Sequence, residues 1–374
     1  MNPLFPLTTF LILAYYTGLI IFFRKGLSPF FPVPGEGTSV SIVVSARNEE
    51  KNLPSLFDAL AGQRYGGNDF EIILIDDRSS DRTLEAMRSF AEKKSGVRVL
   101  SIRDVPAGIS PKKNALSRGI ETAQGEIIVT TDADCRPGPD WLSTLVSAFR
   151  KDTGMVLGYA PYRSDGPYRS LFHRLLALEY FSMGAVAAVS ANSGHPSTCN
   201  GANLAFRKRS FLASGGYGDS ATRLSGDDDL LMHRIHRLSG DRVVFCTSKA
   251  AAVFNNPPAG LGEFVRQRIR FSSKHLDYPP AVVAALSGVY LFYCCMLILL
   301  IGSFFSGGCR ILAALCIGFK TWAELAFLLR PAQKLLEDRD LLKYYPLIVI
   351  PHLFYVVLFP VLGQIIPVKW KDRP

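Results

Sequence analysis

Apolar and polar positions divide the chain into three stretches. Leu4–Phe23 is almost wholly apolar, and the last quarter holds three more long apolar runs, Ala281–Phe305, Cys309–Leu329 and Tyr344–Ile366. Between them the rhythm changes to short apolar runs separated by amphipathic ones. Val40–Ser45, Phe70–Asp76, Val97–Ile102 and Glu126–Thr131 read as strands. Helices are expected from Glu49, from near Ser80 and over Pro111–Gln124. Strands that alternate with helices predict an α/β fold with a mostly parallel sheet covered on both faces.

The apolar runs predict membrane segments. At about 1.5 Å per residue, Leu4–Phe23 can cross a hydrocarbon core of roughly 30 Å. Arg24 and Lys25 follow it, whereas a signal peptide carries its charge before the apolar run. Residues 1–25 therefore read as an uncleaved anchor whose C-terminal end is cytoplasmic. Residues 281–366 read as a C-terminal transmembrane region of about three helices. Lys320 and Glu324 in the second are spaced i, i+4 and can pair on one face; a structural pair facing neighbouring helices is favoured over a functional one. The third contains Pro346, Pro351 and Pro360, so a kinked or partly re-entrant helix is expected. The basic stretch 24–280 and the linker Arg330–Lys343 belong in the cytoplasm. Four full crossings would then put Lys369, Lys371 and Arg373 outside, against the positive-inside tendency. Either that tendency fails or the last segment does not cross. Leu171–Ser190 is a core helix or, by slight preference, an interfacial one.

Composition narrows the class. The 374 residues are 48% hydrophobic, with mean hydropathy +0.17, which rules out a disordered chain. Lys and Arg total 42 against 32 acidic residues, a net charge of +10. No nucleic-acid motif accompanies that excess, which is assigned instead to an anionic membrane and a nucleotide-linked substrate. Seven cysteines without a CxxC argue against a zinc site or a secreted disulfide scaffold.

In parallel sheets, ligands bind beyond the carboxyl ends of the strands. Ser45-Ala46-Arg47-Asn48-Glu49-Glu50 follows the first strand, Asp76-Asp77-Arg78-Ser79-Ser80-Asp81 the second, and Asp132-Ala133-Asp134 the fourth. Singly, Asn48 or Ser79, Ser80 and Asp81 could cap the next helix; three such clusters on one rim point to a site. Asp132 and Asp134, one residue apart after a buried strand, suit a hard divalent cation that completes its shell with waters and substrate phosphates. That implies a diphosphate substrate.

From Val40 to Lys274 these motifs resemble an inverting family 2 glycosyltransferase of GT-A fold, here a cytoplasmic domain over residues 38–278. The resemblance implies donor contacts from Ser45, Ala46, Arg47 and Glu49, and from Asp76, Asp77 and Ser79. Pro111-Lys112-Lys113-Asn114 resembles the segment whose lysine sits beside the nucleotide, giving Lys113 that role. Asp132 and Asp134 resemble the DxD motif, implying Mg2+ or Mn2+ and a nucleotide-sugar donor, with a UDP-sugar foremost. Asn200, Gly201, Ala202 and Asn203 resemble the acceptor loop. Asp227 and Asp228 stand where the family has its Glu-Asp pair, with Asp228 as base. Gln267, Arg270 and Phe271 resemble QxxRW, with Gln267 and Arg270 assisting the leaving diphosphate and Phe271 on the acceptor side.

Departures carry expectations of their own. Arg78 replaces a usual glycine, so that turn should differ; Phe271 replaces tryptophan, a smaller stacking face that weighs against processivity. Asp227 and Asp229 are expected to raise the pKa of Asp228 by like-charge repulsion, although a helix N-terminus would also favour this acidic run. Arg266 and Arg268 are divided between the site and anionic head groups. Arg270 lies within about ten residues of the first C-terminal apolar run, roughly 15 Å at helical rise. The expectation is therefore a plasma-membrane enzyme that glycosylates a lipid or lipid-linked acceptor. A processive polysaccharide synthase and a non-catalytic membrane scaffold are the alternatives; the scaffold would be marked by loss of Asp134 or Asp228, and both are present.

Overall fold

A computed structural model describes residues 4–23, 26–27, 37–66, 70–336 and 339–367. Arg24, Lys25, Lys369, Lys371 and Arg373 of the topology argument lie outside the described residues. After α1 (Leu4–Phe23), strands and helices alternate as β1 (Val40–Ala46), α2 (Leu53–Ala61), β2 (Phe70–Asp77), α3 (Thr83–Lys93), β3 (Val97–Ile102), α4 (Pro111–Thr122) and β4 (Ile127–Thr130). The middle of the chain continues with β5 (Arg136–Pro137), α5 (Trp141–Val146), β6 (Thr153–Gly158), α6 (Leu171–Asn192), β7 (Leu204–Arg207), α7 (Lys208–Ala213), α8 (Asp229–Arg234), β8 (Arg242–Cys246), β9 (Val253–Phe254) and α9 (Leu261–Ser272). Three long helices follow, α10 (Pro280–Gly302), α11 (Gly307–Leu335) and α12 (Tyr345–Ile365).

Among the described residues seven strands form one sheet in the order β3-β2-β1-β4-β7-β6-β8. β1, β2, β3 and β4 pair in parallel, β7 runs antiparallel to β4 and β6, and β8 returns parallel to β6. Strand period 2 sends alternate side chains to opposite faces. Val43, Ile73 and Ile75 pack under Leu116 and Ile120 of α4, while Ile42, Val44, Ile72 and Leu74 pack under Leu53, Leu56 and Leu60 of α2. Both faces are buried, which is why these strands read as continuous apolar runs.

α2 begins at Leu53 rather than Glu49, because residues 48–50 are engaged with the segment after β2. α6 is largely buried within the protein. Its Asn192 side chain accepts from Phe245 N (2.7 Å) and donates to Phe245 O (3.1 Å), and Leu176, Ala177 and Phe181 share a core with Leu328, Ala332 and Val349 of the last two helices. It thus joins the sheet to the C-terminal helices.

By length and composition α6, α10, α11 and α12 can each cross a membrane. The Lys320–Glu324 pair forms (2.6 Å), fully enclosed. Glu324 also accepts from Tyr16 of α1, Tyr293 of α10 (3.1 Å) and Tyr345 of α12, so one carboxylate ties four helices together. The expected kink in the last segment is not a break: α12 is continuous through Pro351 and Pro360.

Candidate functional site

The carboxyl ends of β1, β2 and β4 open onto a cleft of ≈ 530 Å³ that α9 closes on the far side. Two loops build its first wall. Asn48 and Arg78 both have positive φ, +53° and +57°. The turn at Arg78 therefore keeps the left-handed conformation that glycine would favour, and the expected difference is in side chain rather than backbone. Asn48 N donates to Ser79 Oγ (3.1 Å), Ser80 N donates to Asn48 Oδ1 (2.8 Å), and Arg47 Nη1 donates to the carbonyls of Asp77 (3.2 Å) and Arg78 (2.7 Å). Ser45, Arg47, Glu49 and Asp77 line the cleft. Ala46, Asp76 and Ser79 do not; Asp76 Oδ1 accepts from Ser79 N (3.3 Å) and so shapes the loop from behind.

On α4 the lysine that lines the cleft is Lys112. Its Nζ reaches Asp132 Oδ1 (2.9 Å) and Asp227 Oδ2 (2.7 Å). Burial opposes its charge, but Asp132 and Asp227 outweigh that and raise its pKa above the usual lysine value. Lys113, expected beside the nucleotide, turns the other way because successive helical residues diverge by about 100°. It is buried and donates to the carbonyls of Ser220 (2.6 Å) and Ser225 (2.9 Å), holding the segment that leads to Asp227. Burial pushes its pKa down to about 8.

Asp132 and Asp134 fit a hard cation. Their carboxylates and the Cys135 thiol bring ligand atoms within 4.8 Å of one another. Burial, reinforced by Asp134 and Asp132, pushes the Cys135 thiol well up, so the two carboxylates are the charged donors of the group. Such a set suits Mg2+ or Mn2+.

Asp227, Asp228 and Asp229 open α8 on the opposite wall. Each has a lysine partner, so they do not face one another unopposed as expected. Burial works against the charge of Asp227, yet Lys112 holds its carboxyl below the usual range. Lys274 Nζ lies 3.0 Å from Asp228 Oδ1 and 2.7 Å from Asp229 Oδ2. Asp228 Oδ1 also accepts from Asp229 N (2.8 Å), and Asp228 Oδ2 accepts from Gly201 N (3.1 Å). Asp229 is buried and accepts from Tyr278 OH as well.

The residues expected on the acceptor side separate. Asn200, Gly201 and Ala202 line the cleft. Asn203 is wholly buried. It donates to the carbonyls of Tyr159 and Ala251 (both 2.8 Å) and accepts from Trp141 Nε1 (2.9 Å), so it is a core strut that does not reach the cleft. On α9, Arg266, Gln267, Arg270 and Phe271 line the cleft. Arg268 lies nearly opposite on the helix, belongs neither to the cleft nor to lipid, and pairs with Glu179 of α6 at zero exposure. Gln267 Oε1 accepts from Tyr162 OH (2.9 Å), and Tyr162 stacks on Tyr180 at 3.9 Å. Sequence reasoning missed Lys274 and this tyrosine pair. The only signal for Lys274 was its position four residues after Arg270, on the same side of the turn.

This arrangement defines a GT-A domain: a mostly parallel α/β sheet with DxD at its carboxyl rim, here joined to apolar helices. Residues 41–213 match glycosyl transferase family 2. It is 28% identical over 236 residues to the probable glycosyltransferase YdaM of Bacillus subtilis (strain 168), covering 62% of this chain and 54% of that one. It is 33% identical over 136 residues to the undecaprenyl-phosphate 4-deoxy-4-formamido-L-arabinose transferase of Pectobacterium carotovorum subsp. carotovorum (strain PC1), covering 36% of this chain and 40% of that one. The chain thus spans about half or less of the length of these curated relatives. Its structure is similar to that of the mannosyltransferase PcManGT from Pyrobaculum calidifontis in complex with GDP-Man and Mn2+, with TM-score 0.60 and 20% identity, over 89% of this chain and 97% of that one. That likeness shows the fold.

Proposed function

We propose that the chain transfers a sugar, with inversion, from a nucleotide-diphospho-sugar to a hydroxyl of a lipid or lipid-linked acceptor at a membrane, its GT-A domain cytoplasmic. One observation carries the reading: the DxD carboxylates and Asp228 open into the same cleft, whose far wall, α9, packs against an apolar helix. Ser45, Arg47, Glu49 and Asp77 bind the nucleotide portion. Asp132 and Asp134 hold Mg2+ or Mn2+, which when bound neutralises charge on the leaving diphosphate. Arg270, with Gln267 beside it, stabilises the same charge through its forked N–H groups. Asp228, fixed by Lys274 and Gly201 N, takes the proton of the acceptor hydroxyl. Asn200, Gly201, Ala202 and Phe271 bound the acceptor side. A UDP-sugar is the first donor to try; a relative crystallised with GDP-Man makes GDP-sugars the second.

The relatives named for undecaprenyl phosphate support a lipid-borne acceptor. An acceptor phosphate oxygen is already ionised and needs no base, so one variant discriminates. With labelled nucleotide sugars and membrane lipids, label should enter the organic phase, and EDTA should abolish this until metal is restored. Asp228→Asn should lower turnover by roughly 10² or more while donor binding persists. Full activity in EDTA would remove the metal. An active Asp228→Asn variant would remove the base and favour a phosphate acceptor, and label in a long insoluble polymer would favour the synthase.

A further inference from the structure

Both ends of α12 touch the catalytic domain. At its start, Tyr345 and Val349 are buried in the core that α6 shares with the sheet. At its end, Gly363 sits so close to α9 that a methyl group there would lie 2.8 Å from Ser272 Cβ and 2.9 Å from Ser273 N. Gln364 Nε2 donates to Ser272 O (3.2 Å). Between these ends Phe359 and Tyr355 pack on Phe264 of α9, and His352 Nδ1 meets Tyr293 OH of α10 (3.2 Å).

A helix of 21 residues is about 31 Å long, the thickness of a hydrocarbon core. If α12 crossed, Gly363 would lie at the surface opposite Tyr345, and Ser272 with it. Ser272 is two residues from Lys274, which holds Asp228. α9 carries Glu263 and Arg266 exposed, with Arg270 on the cleft. Such a helix cannot be threaded through acyl chains to the far side, because its charges would be stripped of water there.

The outer face of α12 completes the picture. Leu347, Ile350, Phe354, Leu358, Val361 and Ile365 recur at spacings of three and four, and are 39–70% exposed. This is one continuous apolar stripe along the whole helix. α12 packs on α10 through His352 and Tyr293, and Leu291, Ile298 and Ile301 of α10 are likewise exposed. We propose that α12 does not cross the bilayer but lies in the leaflet on the catalytic side, with this stripe set among acyl chains. The occupant is lipid because the stripe continues the apolar surface of the helices able to cross. The placement rests on packing alone, and would stand whichever acceptor is used. It also removes the conflict between four crossings and a basic C-terminal segment.

Two measurements test it. Nitroxides placed singly at positions 347, 358 and 365 of a cysteine-free chain in phosphatidylethanolamine–phosphatidylglycerol liposomes should report one common shallow depth by oxygen and nickel-chelate collision. A crossing helix would give a deep value at 358 and shallow values at 347 and 365, which overturns the proposal. Sidedness is read on the natural sequence by fusing green fluorescent protein or alkaline phosphatase after the last residue and, as references, within the catalytic domain and the turn at Ser306. The terminal fusions should behave like the domain fusions. Behaviour like the Ser306 fusions would refute the in-plane helix.

Discussion

Arg268 offers a severe test of how α9 is held. It has zero exposure, its ion-pair partner Glu179 is six per cent exposed, and its guanidinium lies 5.0 Å from the Phe264 ring centroid and 5.2 Å from that of Phe271. Arg268→Met removes the cation and strands a buried carboxylate, a change that costs about 3–5 kcal/mol. For a domain of this size that is roughly 6–20 °C in melting midpoint. Glu179→Leu strands the guanidinium instead and should cost about as much. The double variant Arg268→Met/Glu179→Leu leaves no buried charge, and apolar replacement of a buried pair is often neutral or better. It should recover most of the loss, a coupling of at least about 2 kcal/mol, within the range for groups in direct contact. Thermal melts of detergent-purified protein would measure this. Sugar transfer at a permissive temperature supplies the second readout: Arg268 does not line the cleft, so the double variant should stay active, whereas Arg270→Met should not. A double variant as unstable as Arg268→Met alone would refute the electrostatic account. Transfer lost in the stable double variant would put Arg268 in the site.

The other expectations follow from single contacts. Asn203→Ala strands two buried carbonyls and an indole N–H, at about 1–3 kcal/mol per group, so the melting midpoint should fall while the acceptor KM of the folded fraction stays unchanged; a raised KM at wild-type stability would return Asn203 to the acceptor site. Burial works to raise the Glu71 carboxyl, but bonds from Ser41 Oγ, Gln124 N and Arg98 win and hold it below the usual range. Because the folded value is the lower one, this stability is present above the unfolded value of about 4.3 and is lost as pH falls through the folded one. Glu71→Gln should therefore be the less stable protein at pH 6 and should lose less than wild type on acidification to pH 3; parallel losses would dismiss the linkage. Lys112→Met should lower the metal concentration for half-saturation by at least roughly tenfold, since a cation a few ångströms from a divalent ion at an effective dielectric near 20 costs more than about 1.4 kcal/mol; an unchanged metal requirement would show that Lys112 does not compete.

What the sequence made legible follows from which rules act locally. β1 to β4 and the carboxyl rim were readable because strands buried on both faces show as apolar runs, and a parallel sheet puts ligands at one edge. β6 and β8 were missed because neither shows as a long apolar run: β6 is interrupted by Gly154 and Gly158, and β8 opens on the exposed Arg242. Among site residues, the DxD pair, Asp228, Gln267, Arg270 and Phe271 all reach the cleft. Lys113 and Asn203 do not, because a motif fixes the neighbourhood and helix phase or strand face decides which side chain turns inward. Lys112 and Asn200, one and three residues away, take the inward positions. The lysines that face Asp228 and its neighbours were hidden for a related reason. Like charges adjacent in sequence are visible, while Lys112 and Lys274, far away along the chain, are not.

The same phase argument explains the basic run on α9. Arg266, Arg268 and Arg270 alternate at i, i+2, so consecutive members point about 200° apart. Arg266 and Arg270, four apart, share the cleft face with Gln267 and Phe271. Arg268 is thrown to the far side, where only a buried carboxylate could receive it, and α6 supplies Glu179. Phe264 and Ser272, at the two ends of the helix, meet α12. Twelve residues make little more than three turns, so cleft, α6 and α12 use up most of the surface of α9. The helix that carries Arg270 therefore also helps, together with α6, to fasten the GT-A domain to the apolar helices. On the proposed reading, chemistry and membrane attachment meet on this one helix, and a displacement of α12 acts on α9 at Phe264, Ser272 and Ser273, next to Lys274.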